Sequence, residues 1–239
     1  NIPKHKMILV SSLKNIHQSC ITGLVFSPDG SHFVTSSLDC TIKTYDIVRS
    51  EAIYNINIKN QATYLDSSPD GRFVALTTDT GNLILFDDRQ EGSTTNIPAH
   101  KYWASTLSFN NNSQLLVTAG SDKSIAIFDI RQPMSTIFRF YKHAGTPIST
   151  CFDSSDRVWS STTAGELQSW NLCDGKNVFG FNFGETDSNE DNQSNAIYKI
   201  LFVEASNSIV YSIGNGELRL MNLGDVIFSM DDQSVFNFV

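Results

Sequence analysis

The sequence predicts an all-β fold built of four-stranded antiparallel sheets repeated along the chain, and three observations carry that prediction. A Ser-Pro-Asp-Gly tetrapeptide occurs twice, starting at Ser27 and at Ser68, 41 residues apart. A residue pair then marks the end of each unit, at Tyr45-Asp46, Phe86-Asp87, Phe128-Asp129, Trp170-Asn171 and Met221-Asn222, at spacings of 41, 42, 42 and 51 residues. Apolar runs of strand length recur between Gly, Asn, Asp and Ser, and no stretch keeps the i, i+3, i+4, i+7 pattern of a helix.

Within a unit, the tetrapeptide lies between two apolar runs. Pro presets φ and Gly accepts a positive φ, so the chain reverses there and forms a hairpin. The following strand is β-branched and aromatic, Phe33-Val34-Thr35 in one copy and Phe73-Val74-Ala75-Leu76 in the other. A second turn follows, around Asp39 and around Asp79 to Asn82, and the third strand ends at the marker pair. The repeats fall at roughly 8–47, 51–88, 92–130, 135–172 and 176–223 of a single domain spanning 1–239. The long last interval is explained by 184–195, GETDSNEDNQSN, which is acidic, lacks apolar periodicity and reads as an extruded, mobile loop. The run from Met7 to Leu13 reads as the outer strand of a preceding unit, and 224–239 as an outer strand and the start of a further repeat. Small sheets cannot bury both faces alone. Stacked radially they cover one another, which is the logic of a β-propeller.

With 239 residues, 40% apolar and 18% charged, the composition is that of a soluble globular protein. A net charge of -8, with 17 scattered Lys and Arg, argues against nucleic acid as a direct partner, because phosphate backbones are held by clustered cations. No apolar run reaches the roughly 18 residues that a membrane-spanning helix requires, and 1–14 lacks a signal-peptide pattern. The expected setting is intracellular, cytoplasmic or nuclear, without membrane insertion. Cys20, Cys40, Cys151 and Cys173 occur singly, so neither a zinc site nor a disulfide framework is indicated, and buried reduced thiols are expected.

The 40-residue unit, the SPDG hairpin, the Asp-bearing turn and the aromatic-Asp ending together resemble WD-repeat propellers along nearly the whole chain. In that family a His before the first strand, the turn Asp and a Trp form a buried hydrogen-bonded network. The resemblance assigns blade-turn roles of this kind to His17 with Asp39, His100 with Asp122, and His143. Tyr45 and Phe128 stand where Trp is usual, and Gly165 and Gly216 lie near the turn in the last two repeats. The resemblance also implies a ring of six to eight blades, most simply seven. With about five visible, the chain is expected to be an arc of a longer ring, or an open propeller that a partner completes by adding a strand.

No catalytic set, metal or cofactor is expected. Asp187, Asn189 and Asp191 have the alternation of a calcium loop, but Asn192 and Tyr198 replace its required Gly and Glu. Gly175-Lys176 lacks the rest of a phosphate-binding loop, and the histidines are not spaced as metal pairs. The expected function is a non-catalytic scaffold that binds other protein subunits or peptides through its rim loops and central mouth. Lys101, Tyr102 and Trp103 are the candidate contact residues, with Trp103 either an interface anchor or buried between blades. Phe86-Asp87-Asp88-Arg89 and Phe128-Asp129-Ile130-Arg131 share an aromatic-Asp-x-Arg pattern. In WD-repeat substrate receptors of cullin-RING ubiquitin ligases, similar tandem motifs present Arg to an adaptor, which makes Arg89 and Arg131 the alternative candidates. Packing of each arginine along its own strand is the competing structural role.

Overall fold

The computed structural model describes residues 12–89, 94–131, 135–141, 143–182 and 195–226. Five antiparallel sheets follow one another along the chain, each a simple up-and-down meander. The first holds β1 (Ile21–Phe26), β2 (His32–Ser37), β3 (Thr41–Asp46) and β4 (Glu51–Asn57). The second holds β5 (Ala62–Ser67), β6 (Phe73–Thr78), β7 (Asn82–Asp87) and β8 (Thr94–Pro98). The third holds β9 (Ala104–Phe109), β10 (Leu115–Gly120), β11 (Ile125–Asp129) and β12 (Ser135–Phe140). In the fourth are β13 (Pro147–Phe152), β14 (Val158–Thr162), β15 (Glu166–Trp170) and β16 (Asn177–Asn182). The fifth has three described strands, β17 (Ile197–Val203), β18 (Ser208–Ile213) and β19 (Leu218–Asn222). Every third strand ends on its marker pair or on the first residue of it.

The hairpin chemistry is visible in both tetrapeptides. Gly30 and Gly71 take φ of +70° and +69°, and their amides donate to the carbonyls of Ser27 and Ser68. The Ser27 and Ser68 hydroxyls donate to Asp29 and Asp70 at 2.7 and 2.6 Å, which closes each turn. In the middle sheets both faces are apolar because both are covered. Leu116, Ala126 and Phe128 face the second sheet, whereas Val117, Ile125 and Ile127 face the fourth. Four apolar clusters fill the four interfaces between successive sheets.

The innermost strands β1, β5, β9, β13 and β17 pack in series and place the sheets radially. Each carries a register shift near its start, a β-bulge repeated five times. At two of these bulges a hydroxyl reaches the next sheet: Thr63 donates to the Ala104 carbonyl at 2.7 Å, and Ser105 to the Pro147 carbonyl at 2.5 Å. The series leaves apolar side chains exposed at its two ends, Leu24 and Phe26 on β1, and Leu201, Leu218 and Leu220 in the fifth sheet.

Two expectations change. Of the four cysteines only Cys151 is buried; Cys20 and Cys173 are exposed because they lie in connections outside the strands. Burial pushes the Cys151 thiol up to about 12. Leu223–Val226 forms one α-helical turn, α1, where the sequence reading begins an outer strand; the Asn222 side chain accepts the Gly224 amide at 2.9 Å and the buried Leu223 anchors the turn. The rest of 224–239, the loop 184–195 apart from Asn195, and Met7 to Ser11 lie outside the described residues. No helix among the described residues is long and apolar enough to cross a membrane.

Candidate functional site

In an up-and-down sheet, the turns after the first and third strands fall on one rim, and the remaining connections fall on the other. His17, His100 and His143 therefore share a rim with Asp39, Asp122 and Lys101–Trp103. Arg89 and Arg131, which follow β7 and β11, stand on the opposite rim. The two candidate binding features belong to different faces of the molecule.

The third sheet shows how the first rim is built. His100 is buried in the connection between β8 and β9. Its Nδ1 donates to Asp122 Oδ1 at 3.0 Å, and its Nε2 accepts the Thr118 hydroxyl at 2.9 Å. This assignment of protons follows from the partners and makes the ring neutral. Burial lowers the His100 pKa, against the attraction of Asp122. Asp122 also accepts the Lys101 amide at 3.0 Å and both the amide and hydroxyl of Ser124. Burial works against the Asp122 carboxylate, but these donors outweigh it and hold its pKa below the ordinary range.

The first sheet repeats the arrangement. His17 Nδ1 donates to Asp39 at 3.0 Å, Nε2 meets the Thr35 hydroxyl at 2.8 Å, and the Gln18 amide donates to Asp39 at 2.8 Å. The fourth sheet varies it. His143 Nε2 meets the Ser160 hydroxyl at 3.0 Å, and Glu166 accepts the Ala144 amide at 2.9 Å, the same connection that Asp39 and Asp122 make to the residue after their histidines. Glu166 stands one position beyond Gly165, and its longer side chain covers the difference. A pattern that requires Asp at the turn does not single out Glu166. In the second sheet Ile58 occupies the histidine's place and packs into the apolar cluster instead.

Lys101, Tyr102 and Trp103 leave the protein directly from this lock. Tyr102 is 55% exposed and Trp103 44%, so the indole is a surface group and is not sequestered between sheets. Their backbone is seated on Gly81, whose carbonyl accepts the amides of Ala99 and His100 at 3.0 and 2.8 Å. Gly81 has φ of +84°, and a Cβ there would lie 2.3 Å from the carbonyl oxygens of both His100 and Tyr102. Only glycine fits. Beside this segment opens a cavity of about 560 Å³ lined by Lys101, Tyr102, Asp122, Arg139 and Tyr141, among others. Arg139 and Tyr141 come from β12 and its end, and the sequence reading did not single them out.

On the opposite rim, Arg89 and Arg131 form matching rings. Each guanidinium donates through Nε and Nη2 to the carboxylate two residues earlier, Asp87 (3.1 and 3.2 Å) and Asp129 (3.0 and 2.7 Å). The arginines hold both carboxyls below the ordinary range, although both side chains are more than half exposed. Arg131 also reaches Gln114 at 2.9 Å. Among the described residues no three His, Cys, Asp or Glu side chains gather as metal ligands.

Residues 8–46 and 92–129 match the family model described as WD domain, G-beta repeat. These two segments contain His17 with Asp39 and His100 with Asp122. Similar proteins include the U5 small nuclear ribonucleoprotein 40 kDa protein of Dictyostelium discoideum, 29% identical over 130 residues, 53% of this chain and 36% of that protein. Pre-mRNA-processing factor 19 of the same organism is 27% identical over 124 residues, 51% of this chain and 24% of that protein. U3 small nucleolar RNA-associated protein 21 of Saccharomyces cerevisiae is 43% identical over 68 residues, 28% of this chain and 7% of that protein. The chain thus spans no more than 36% of the length of these relatives.

Proposed function

Because the chain belongs to the WD-repeat family, we propose that it is a non-catalytic scaffold subunit that grips partner proteins at the rim around Lys101, Tyr102 and Trp103. One observation carries the proposal: exposed aromatic and cationic side chains project from a backbone pinned by the His100–Asp122 lock and by Gly81. Loops held this way lose little freedom on binding, so more of the contact energy appears as affinity. The relatives' names, a pre-mRNA-processing factor, a U5 ribonucleoprotein component and a U3 RNA-associated protein, favour a place in a nuclear ribonucleoprotein assembly. The test is affinity purification with mass spectrometry of the full-length protein beside its Tyr102→Ala/Trp103→Ala variant. A stable set of subunits lost in the variant is expected. An unchanged set, or a solitary wild-type protein, refutes the reading.

The tandem arginines support a second reading, a substrate receptor of a cullin-RING ligase working from the opposite rim. Each guanidinium plane is pre-oriented by its own Asp and presents an exposed edge. Charge reversal of Arg89 and Arg131 with pull-down of the adaptor separates the readings: adaptor binding that is absent, or indifferent to the reversal, removes the receptor.

A further inference from the structure

We infer that the cavity at the Lys101 rim is a seat for an acidic peptide segment, an Asp or Glu carboxylate lying between Lys101 and Arg139 with neighbouring side chains on Tyr102 and Tyr141. The inference rests on the scaffold reading and adds the chemistry of what is gripped.

Charge pairing elsewhere in the molecule gives the first reason. Arg72, Arg89, Arg131, Arg157 and Arg219 each have a carboxylate within ion-pair distance. Arg139, like the exposed Arg49 in the turn after β3, has none among the described residues. Its contact is the Ser124 hydroxyl at 3.4 Å, at the limit of a hydrogen bond. The Lys101 ammonium likewise has no carboxylate among the described residues and rests over the Tyr102 ring at 5.2 Å. In a chain of net charge -8, two cations that form no ion pair with a described carboxylate line one cavity.

The acid that also lines the cavity does not neutralise them. Asp122 is occupied by His100, the Lys101 amide, and the amide and hydroxyl of Ser124. An incoming carboxylate would find a guanidinium able to take it bidentately and an ammonium as a second point charge. Tyr141 at 66% exposed and Tyr102 offer apolar faces for the residues on either side. Two cations suit one carboxylate. They are too few for a polyphosphate backbone, which the overall negative charge also repels.

The probe is a fluorescein-labelled dodecapeptide with two adjacent Glu among Leu, Phe and Gly, measured by anisotropy against its Gln-for-Glu twin on the full-length protein. The acidic peptide is expected to bind about tenfold more tightly, as charge-assisted hydrogen bonds of ordinary strength require. That preference should vanish in Lys101→Glu and in Arg139→Glu; Arg139→Gln serves if a reversal fails to fold. Equal binding of the twins, no binding of either, or a preference that survives both variants overturns the inference. So does tighter binding of an oligouridylate. If Tyr102→Ala/Trp103→Ala still strips partners from the purified complex while the acidic peptide does not bind, the scaffold reading stands and only the peptide chemistry falls.

Discussion

Removing His100 should cost far more than a surface substitution, and the lock predicts how the cost divides. The side chain is fully buried, as is that of His17 in the first sheet. Its bond to the Asp122 carboxylate is charge-assisted and contributes about 1.5–3 kcal/mol, and its bond from the Thr118 hydroxyl about 1 kcal/mol. His100→Ala also leaves that hydroxyl buried without its partner and opens a void, so a total loss of about 3–4 kcal/mol is expected. Asp122→Ala should lose about 3 kcal/mol, since it strips acceptors from the Lys101 amide and from Ser124 as well as from His100. If the groups act as a unit, the double variant loses only slightly more than either single one, a coupling of about 2 kcal/mol. Urea unfolding followed by tryptophan fluorescence measures all four proteins. A coupling below about 0.5 kcal/mol means that the histidine and the carboxylate stabilise the sheet independently, and the lock is then a description of proximity only.

Three further outcomes follow from the same geometry. His100 and His143 have pKa values lowered by burial, so in acid the unfolded chain takes up protons that the folded one refuses. Their stabilisation is present above about 6.5 and is lost as pH falls below it; the thermal midpoint should drop between pH 7 and 5, less steeply in His100→Ala, and equal slopes in the two proteins refute this. Asp66 has the opposite sign: burial outweighs the amides of Phe109 and Ser67 and the nearby Lys199, and raises it to about 6. Its contribution is present in acid and lost as pH rises through about 6, so Asp66→Asn should gain roughly 1–3 kcal/mol at pH 7.5 and nothing at pH 4, a difference that urea midpoints at the two pH values would expose. Gly81→Ala should cost roughly 2–4 kcal/mol and disturb the rim, whereas Gly30→Ala, with similar φ but open space around its Cβ position, should cost about 1 kcal/mol; equal losses in urea would show that the contact with the His100 and Tyr102 carbonyls is not limiting.

The architecture was legible because its signals are local. A hairpin at Ser27 to Gly30 needs only four residues in sequence, and the end of each third strand needs only the marker pair and its period. The lock was half legible for the same reason, since His17 with Asp39 and His100 with Asp122 recur at one separation of 22 residues. What escaped depends on reach or on register. Glu166 does an Asp's work from a shifted position, which a fixed template does not detect. Thr63 and Ser105 gain their inter-sheet bonds from bulges that no propensity announces. Exposed Cys20 and Cys173 follow from strand ends rather than from composition.

Arg139 is the deeper case. It pairs with Ala126 across β11 and β12, and that register brings it beside Ser124, whose hydroxyl is already bonded to Asp122. Through Asp122 the chain reaches the Lys101 amide, 38 residues before Arg139 in the sequence. The rim cavity is therefore assembled by the lock itself, which draws the Lys101 backbone down onto the turn and holds Arg139 alongside. Binding and folding then share Asp122, and a substitution there should weaken both, whereas one at Arg139 should leave stability intact. That separation is the physical signature of a site laid over a structural repeat: the buried partners answer to denaturant, and those that reach solvent answer to ligand.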